Sequence, residues 1–233
     1  VWQPVLEYFL PVQMCHMRVN EKYRVWHDAC HMDDAQMAPA HNHIDGYDQK
    51  EGLSKFKPGE IVEDVNIGGW HDAGDFDLRI ESQAGECYIL ALAYEAFHPE
   101  LDVTSIDQIN RITEIHQADG KNDLLQQVEN GALSVVNSYL ALGRLYRGII
   151  CNSLRQYVLL GDASAMTDGK IGNDDDRWIF TEDNPMREMS TAAQLAATSR
   201  VLKGFNDTLS NHCLNISREI FERTGKENPR IAF

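Results

Sequence analysis

The sequence has no apolar run near the roughly 20 residues that a bilayer-spanning helix needs, which sets membrane insertion aside. It has no dense run of lysine or arginine. With 21 basic against 36 acidic side chains its formal net charge is −15, which repels a phosphate backbone and makes nucleic acid an unsuitable partner. A neutral polysaccharide is indifferent to that charge, so the acidity is compatible with a carbohydrate ligand, although its plain meaning is solubility. The five cysteines, Cys15, Cys30, Cys87, Cys151 and Cys213, are odd in number, scattered, and without CxxC or related spacing. The expectation is therefore neither a zinc site nor a dense disulfide framework. No basic segment followed by an apolar stretch and a cleavage site opens the chain, which reads as a mature form or a cut piece. No internal repeat of fixed period is evident. Sustained period-two alternation is missing outside the short piece IVEDVNI at 61–67, so the expected class is mainly α.

What is present is helical spacing. Trp2, Val5, Leu6, Phe9, Leu10 and Met14 mark a first helix over 1–18, bent or divided by Pro11. From about 20 to 69 periodicity disappears while His, Asp, Gly and Pro accumulate. Irregular stretches of that length are uncommon in compact domains unless they carry function, so this one is a candidate wall of a site. Helical faces return through Ala84, Cys87, Leu90, Ala91, Tyr94 and Phe97, and through Leu124, Val128, Ala132, Val135, Tyr139 and Leu142. A shorter one follows at 154–159, then two more over 189–205 and 208–223, the last stopped by Gly225. Long helices joined by loops of very unequal length fit pairs arranged in layers or a ring.

The chemistry concentrates in IGGWHDAGDF at 67–76, where Asp72 and Asp75 stand three residues apart just before a helix. Gly68, Gly69 and Gly74 permit positive φ and close backbone approach, so the two carboxylates can aim at one volume and share a water. Inverting sugar hydrolysis needs one carboxylate to deprotonate water and a second acid about 6.5–9.5 Å away to protonate the leaving oxygen. Two neighbouring aspartates serve the first task only. Mutual repulsion decides which stays ionised and becomes the base, and the residues alone leave that order open. The plain alternative is a helix cap, in which either aspartate accepts backbone N–H groups.

GGWHDAGDF is similar to the GGWYDAGDY signature of glycoside hydrolase family 9, with His71 where many members have Tyr. VWHDACH at 25–31 resembles the tryptophan and cysteine-histidine stretch that precedes it in bacterial members, and NDLLQQVENG at 122–131 resembles a PDLLDEVRWG-type helix. DRWIFTEDNP at 176–185 stands where the family has a sugar-contacting DHKWWGPAE-type segment, with Asp176 in place of His but Trp178 kept, and STAAQLAATSRV resembles its alanine-rich helix. The resemblance implies an (α/α)6 toroid of which this chain is about the first half, and an inverting hydrolase of β-1,4-linked glucans (cellulose-like, xyloglucan or mixed-linkage). It implies Asp75 as general base and Asp72 as its assistant. It further implies an extracellular or periplasmic location, and a general-acid Glu beyond Phe233, so that the chain alone is inactive and the remainder of its catalytic domain is a partner.

Trp70, Trp26 and Trp178 are candidates for stacking on sugar rings, core packing being the default for any lone tryptophan, and His71 and His31 are further candidate sugar contacts. His27, His31, His41 and His43 form a loose cluster without an HxxxH helix or a completing carboxylate, so no metal site is expected there. The run Asn173-Asp174-Asp175-Asp176 is a candidate for structural calcium but lacks the EF-hand pattern, and a solvated acidic turn is the stronger reading. Asn206 and Asn215 open glycosylation-type triplets beside helices and carry little weight. Two rival functions stay in view: a non-catalytic carbohydrate-binding or scaffold protein, and a toroid enzyme acting on another glycan.

Overall fold

The structure, a computed structural model, describes residues 2–42, 47–72, 76–151, 164, 167–173 and 175–230. The N-terminal segment is helical in three pieces: α1 (Trp2–Pro4), a π turn over Val5–Phe9, and α2 (Leu10–Gln13). Proline explains the division, since Pro11 has no N–H to give to the preceding turn; Leu10 instead reaches back to the Val5 carbonyl.

Four long helices carry the core: α3 (Ile80–Phe97), α4 (Asp123–Leu142), α5 (Pro185–Leu202) and α6 (Asp207–Glu227). Each overlaps a stretch of expected helical spacing. Three of them start on asparagine, whose side chain accepts an orphan N–H of the first turn: Asn122 from Leu125, Asn184 from Arg187 and Asn206 from Leu209. Gly143, at φ +74°, ends α4. Gly225 does not end α6. That helix runs on to Glu227, and the Asn228 N–H closes it on the Thr224 carbonyl. The expected helix at 154–159 lies outside the described residues.

α3 lies between α4 and α5, and α5 pairs with α6. α4 is the most enclosed, with Leu124, Val128, Ala132, Val135 and Val136 all essentially inaccessible. Each such side chain contributes roughly 1.5–3 kcal/mol relative to exposure, so α4 is the rigid wall on which the signature loop is built.

The expectation of almost no strand is corrected. Short strands form two four-stranded sheets and a two-stranded one. In the first, β1 (Arg18–Glu21) pairs antiparallel with β2 (Arg24–His27) and parallel with β8 (Ile112–Ile115), which pairs with β7 (Thr104–Asp107). In the second, β10 (Arg177–Thr181) lies between β3 (Gln36–Met37) and β9 (Tyr146–Cys151), and β9 also pairs with β6 (Leu78–Arg79). β4 (His41–Asn42) pairs with β5 (Asp48–Gln49). None exceeds six residues, too short to display an alternation, and β9 and β10 are buried on both faces. The one piece that did alternate, 61–67, contributes only an isolated bridge from Ile61 to Gln36. The irregular region 20–69 is thus tied down by strand pairs near its start and middle and by that bridge nearer its end.

Candidate functional site

The signature loop docks on α4 by close backbone approach. Gly68 and Gly69 adopt φ of +69° and +89°. A Cβ on Gly68 would fall 2.2 Å from the Asn130 carbonyl oxygen, so no larger residue fits. That same carbonyl accepts the Gly69 N–H at 3.1 Å, the Asn130 amide donates back to Gly69 O, and Cys15 N–H donates to Gly69 O at 2.9 Å.

Trp70 is 1% exposed, and its indole N–H donates to Gln127 Oε1 at 2.8 Å. Its ring lies over Gly131, where a Cβ would sit 2.3 Å from it, and Gln83 brackets its backbone with two hydrogen bonds. With no ring face open, Trp70 cannot stack on a sugar. It is the core anchor of the loop, which corrects its candidacy as a binding residue.

His71 N–H donates to Gln13 O, and Asp72 N–H donates to Asp77 O at 2.9 Å, so Asp72 and Asp77 clasp the turn between them. Asp75 lies at 73–75, outside the described residues. The Asp72 side chain keeps 34% of its surface open. Its Oδ2 meets Arg79 Nε at 3.2 Å and accepts from Ser82 Oγ at 3.4 Å. Burial and the nearby Asp77 raise its carboxyl above the usual range, against the opposing pull of Arg79 and Ser82. Asp77, fully buried, accepts from Tyr47 O–H at 2.6 Å and from Arg79 Nε at 2.8 Å. Burial and this carboxylate push the Tyr47 phenol up, keeping it a donor. Sequence reasoning passed over Asp77, Tyr47 and Arg79. The signal available was a third aspartate two residues past Asp75, followed by an arginine two residues later.

Beneath the loop, four buried side chains converge: Cys15, Cys30, His31 and His71, whose ligand atoms all lie within 4.8 Å of one another. Cys15 Sγ is 3.6 Å from His31 Nδ1, and Cys30 Sγ is 3.5 Å from His71 Nε2. Zn–S near 2.3 Å and Zn–N near 2.05 Å at tetrahedral angles imply S···N edges of about 3.5 Å, so the donor set fits zinc in kind and spacing. Burial, with Arg177, lowers His31 to about 4, leaving the neutral imidazole that ligation requires. Burial alone would raise the Cys15 thiol; the hydrogen bond from Cys30 and the charge of Arg177 outweigh it and hold Cys15 well below the usual thiol value. The absence of CxxC spacing gave no sign of this convergence, because the four residues come from separate segments, with Cys15 and His31 16 residues apart and Cys30 and His71 41 apart. Cys15, His16 and Asp34 form a second convergent group, but Arg177 already occupies it. His31 and His71 are 3% and 5% exposed, and their rings pack against one another and Phe76, so neither lines an open groove.

Trp178 is half-buried on β10 beside Phe180, one residue after Arg177. Trp26 is half-buried on β2, with the Arg24 guanidinium 3.4 Å above its ring and Tyr8 at its edge, so one face is taken. Asp175 N-terminal to β10 accepts from Asp168 N–H, and Asp176 from Gln36 and Gly172 N–H, the hydrogen bonding of an acidic turn; Asp174 lies outside the described residues. All five cysteines are buried.

The family model for glycosyl hydrolase family 9 matches residues 6–232. No curated protein matches the chain by sequence. Among solved structures, a metagenome-derived glycoside hydrolase family 9 endoglucanase aligns with a TM-score of 0.66 at 16% identity, covering 97% of this chain and 36% of that one. A Zn-binding triple mutant of the family 9 endoglucanase J30 gives 0.64 at 18% identity, over 97% and 38%. AaCel9A in complex with cellobiose-like isofagomine gives 0.63 at 20% identity, over 97% and 37%. The chain therefore spans well under half the length of these structures, and the likeness is one of fold.

Proposed function

Because this chain belongs to glycosyl hydrolase family 9, we propose that it supplies part of an (α/α)6 toroid that hydrolyses β-1,4-linked glucans with inversion. Asp75 acts as general base on the attacking water, Asp72 helps hold that water, and a glutamate elsewhere in the protein acts as general acid. The observation that carries this reading is Asp72: a carboxylate left one-third open at a glycine-docked turn, sharing the Arg79 cation with Asp77. An ordinary helix cap does not describe it, since α3 starts eight residues later with Arg79 as its N-cap and no side-chain cap bond. A raised carboxyl beside a cation is suited to accept a hydrogen bond from water and to hold a proton in passing. Trp178, half-buried on β10, remains the stacking candidate, and the enzyme acts outside the cytoplasm.

The Cys15–Cys30–His31–His71 centre takes a structural Zn2+. With Cys15, Cys30, His31 and His71 as its donors, the ion would supply local folding energy and fix His71 next to Asp72 rather than activate a nucleophile. The donor geometry supports this, and it is in keeping with a family 9 fold that accepts zinc in the J30 mutant.

The test uses the whole protein on soluble β-glucans, following the anomeric configuration of the first product by NMR. Asp75→Ala should cost about 10²–10⁴ in kcat, the usual worth of a general base, and Asp72→Asn less. Retention of configuration, or an Asp75→Ala variant as active as the parent, would defeat the assignment; glucan binding without turnover by the parent would favour the scaffold reading.

A further inference from the structure

Arg177 is fully buried, its side chain 1% exposed, and no other arginine or lysine is so enclosed among the described residues. A buried guanidinium costs several kcal/mol in desolvation unless its charge and donors are met. Here its partners come from three separate segments. Nε donates to both Asp34 oxygens at 2.9 Å, and Nη2 also reaches Asp34 Oδ2. Nη2 donates to Cys15 Sγ at 3.1 Å, and Nη1 donates to the Phe76 carbonyl. His16 extends the cluster: Nε2 bonds Asp34 Oδ2 at 2.8 Å and Nδ1 bonds the Gly68 carbonyl at 2.9 Å. Gly68 stands four residues before Asp72 and Phe76 four after it. Both shoulders of the signature turn therefore hang from one buried ion cluster whose other end rests on Cys15.

We infer that Arg177 is a positioning residue: the outer partner of the Cys15–Cys30–His31–His71 centre and the tie through which that centre holds the catalytic turn. The inference rests on the hydrolase and zinc readings above. Thiolate ligands at a metal are commonly stabilised by donors from outside the ligand set, and such partners carry a large share of affinity. The planar fork is what the site uses, since one side chain must reach a carboxylate, a thiolate and a carbonyl at once. A lysine ammonium keeps the charge but not the three directions. Arg177 also precedes Trp178 on β10, so the same anchor sets the register of the segment proposed to meet the sugar.

The experiment compares the whole wild-type protein with Arg177→Met, Arg177→Lys and Asp34→Asn. Zinc affinity is read by competition with a chromogenic chelator, and kcat and KM are measured on a soluble β-glucan with saturating zinc. The expected result is a 10- to 100-fold loss of zinc affinity in Arg177→Met, recovered in part by Arg177→Lys. In both, kcat falls at least about tenfold with KM nearly unchanged, because the carbonyl tie at Phe76 is lost whatever the charge. Should Arg177→Met not fold, Arg177→Lys and Asp34→Asn carry the comparison, each with a split between metal affinity and kcat. Zinc held as tightly by the variants as by the parent, or full recovery of kcat by Arg177→Lys, overturns the inference. A parent that binds no zinc also overturns it, and glucan hydrolysis by that same parent would leave the family 9 reading standing.

Discussion

Gly68→Ala measures how closely the signature loop is seated on α4. Two terms act on an added methyl. At φ +69° an L-residue carries the left-handed penalty of about 1–2 kcal/mol. The methyl would also sit 2.2 Å from the Asn130 carbonyl oxygen and 3.1 Å from Ser134 N. Overpacking of this kind costs typically 1–3 kcal/mol, and here the upper end applies, because the obstacle is helix backbone already accepting the Gly69 N–H and cannot swing aside. Gly52 supplies the control: its φ is +79°, yet a Cβ there meets nothing within 4 Å. Gly52→Ala should therefore cost about 1 kcal/mol and Gly68→Ala about 3–4 kcal/mol. Urea unfolding reads the difference as a shift in midpoint at unchanged slope. Equal losses at the two glycines would refute the close approach and with it the docking of the loop on α4.

Gly148→Ala should strike the site from the other side, because its methyl would lie 2.2 Å from Tyr47 Cε1 and 2.7 Å from the hydroxyl that donates to Asp77. A loss of about 1–3 kcal/mol in stability together with reduced kcat is expected, and a variant unchanged in both would show that Tyr47 does not press on that strand. Glu86, half-buried on α3, is pushed up to about 7 by burial and by Asp72. A carboxyl whose folded value lies above its ordinary 4.5 holds its proton longer in the folded state, so wild-type stability falls as pH rises from 4.5 through about 7. Glu86→Gln should flatten that slope, gaining on the order of 1 kcal/mol near pH 8 and nothing near pH 4; parallel stability–pH curves for the two proteins would contradict the placement of Glu86.

The long helices were legible because burial on one face imposes a three-to-four spacing, and α4 repeats it over twenty residues. The sheets were not, because a strand of two to six residues buried on both faces, such as β9, carries neither length nor alternation. The same limit governed the site. Gly68, Gly69 and Asp72 sit together in one short motif, so a local reading found them. The Cys15–Cys30–His31–His71 centre is assembled by pairing Cys15 N–H with Gly69 O and His71 N–H with Gln13 O, contacts that no spacing rule contains. Trp70 failed as a sugar contact for a related reason: a tryptophan in a signature loop reads the same whether the loop needs a platform or an anchor, and only the bare Gly131 opposite it decides for the anchor.

Why the segments flanking Asp72 should be held by so much buried polar structure follows from the charges they carry. Aspartates crowded at one turn repel, and a turn free to relax would spread them apart. Arg79 offsets the repulsion between Asp72 and Asp77, but it is shared: its Nε lies 2.8 Å from the buried Asp77 and 3.2 Å from Asp72. The buried carboxylate, with a hydrogen bond from Tyr47 as well, takes the larger part, so Asp72 is left the less compensated and has its carboxyl raised. Under the proposed function, that suits a group that orients water and takes a share of a proton more than one that must stay ionised throughout. Holding the turn against its own repulsion then falls to contacts that do not titrate with it: the Gly69–Asn130 pairing on one side, the Arg177–Phe76 carbonyl contact on the other, and the Asp72–Asp77 backbone clasp between them.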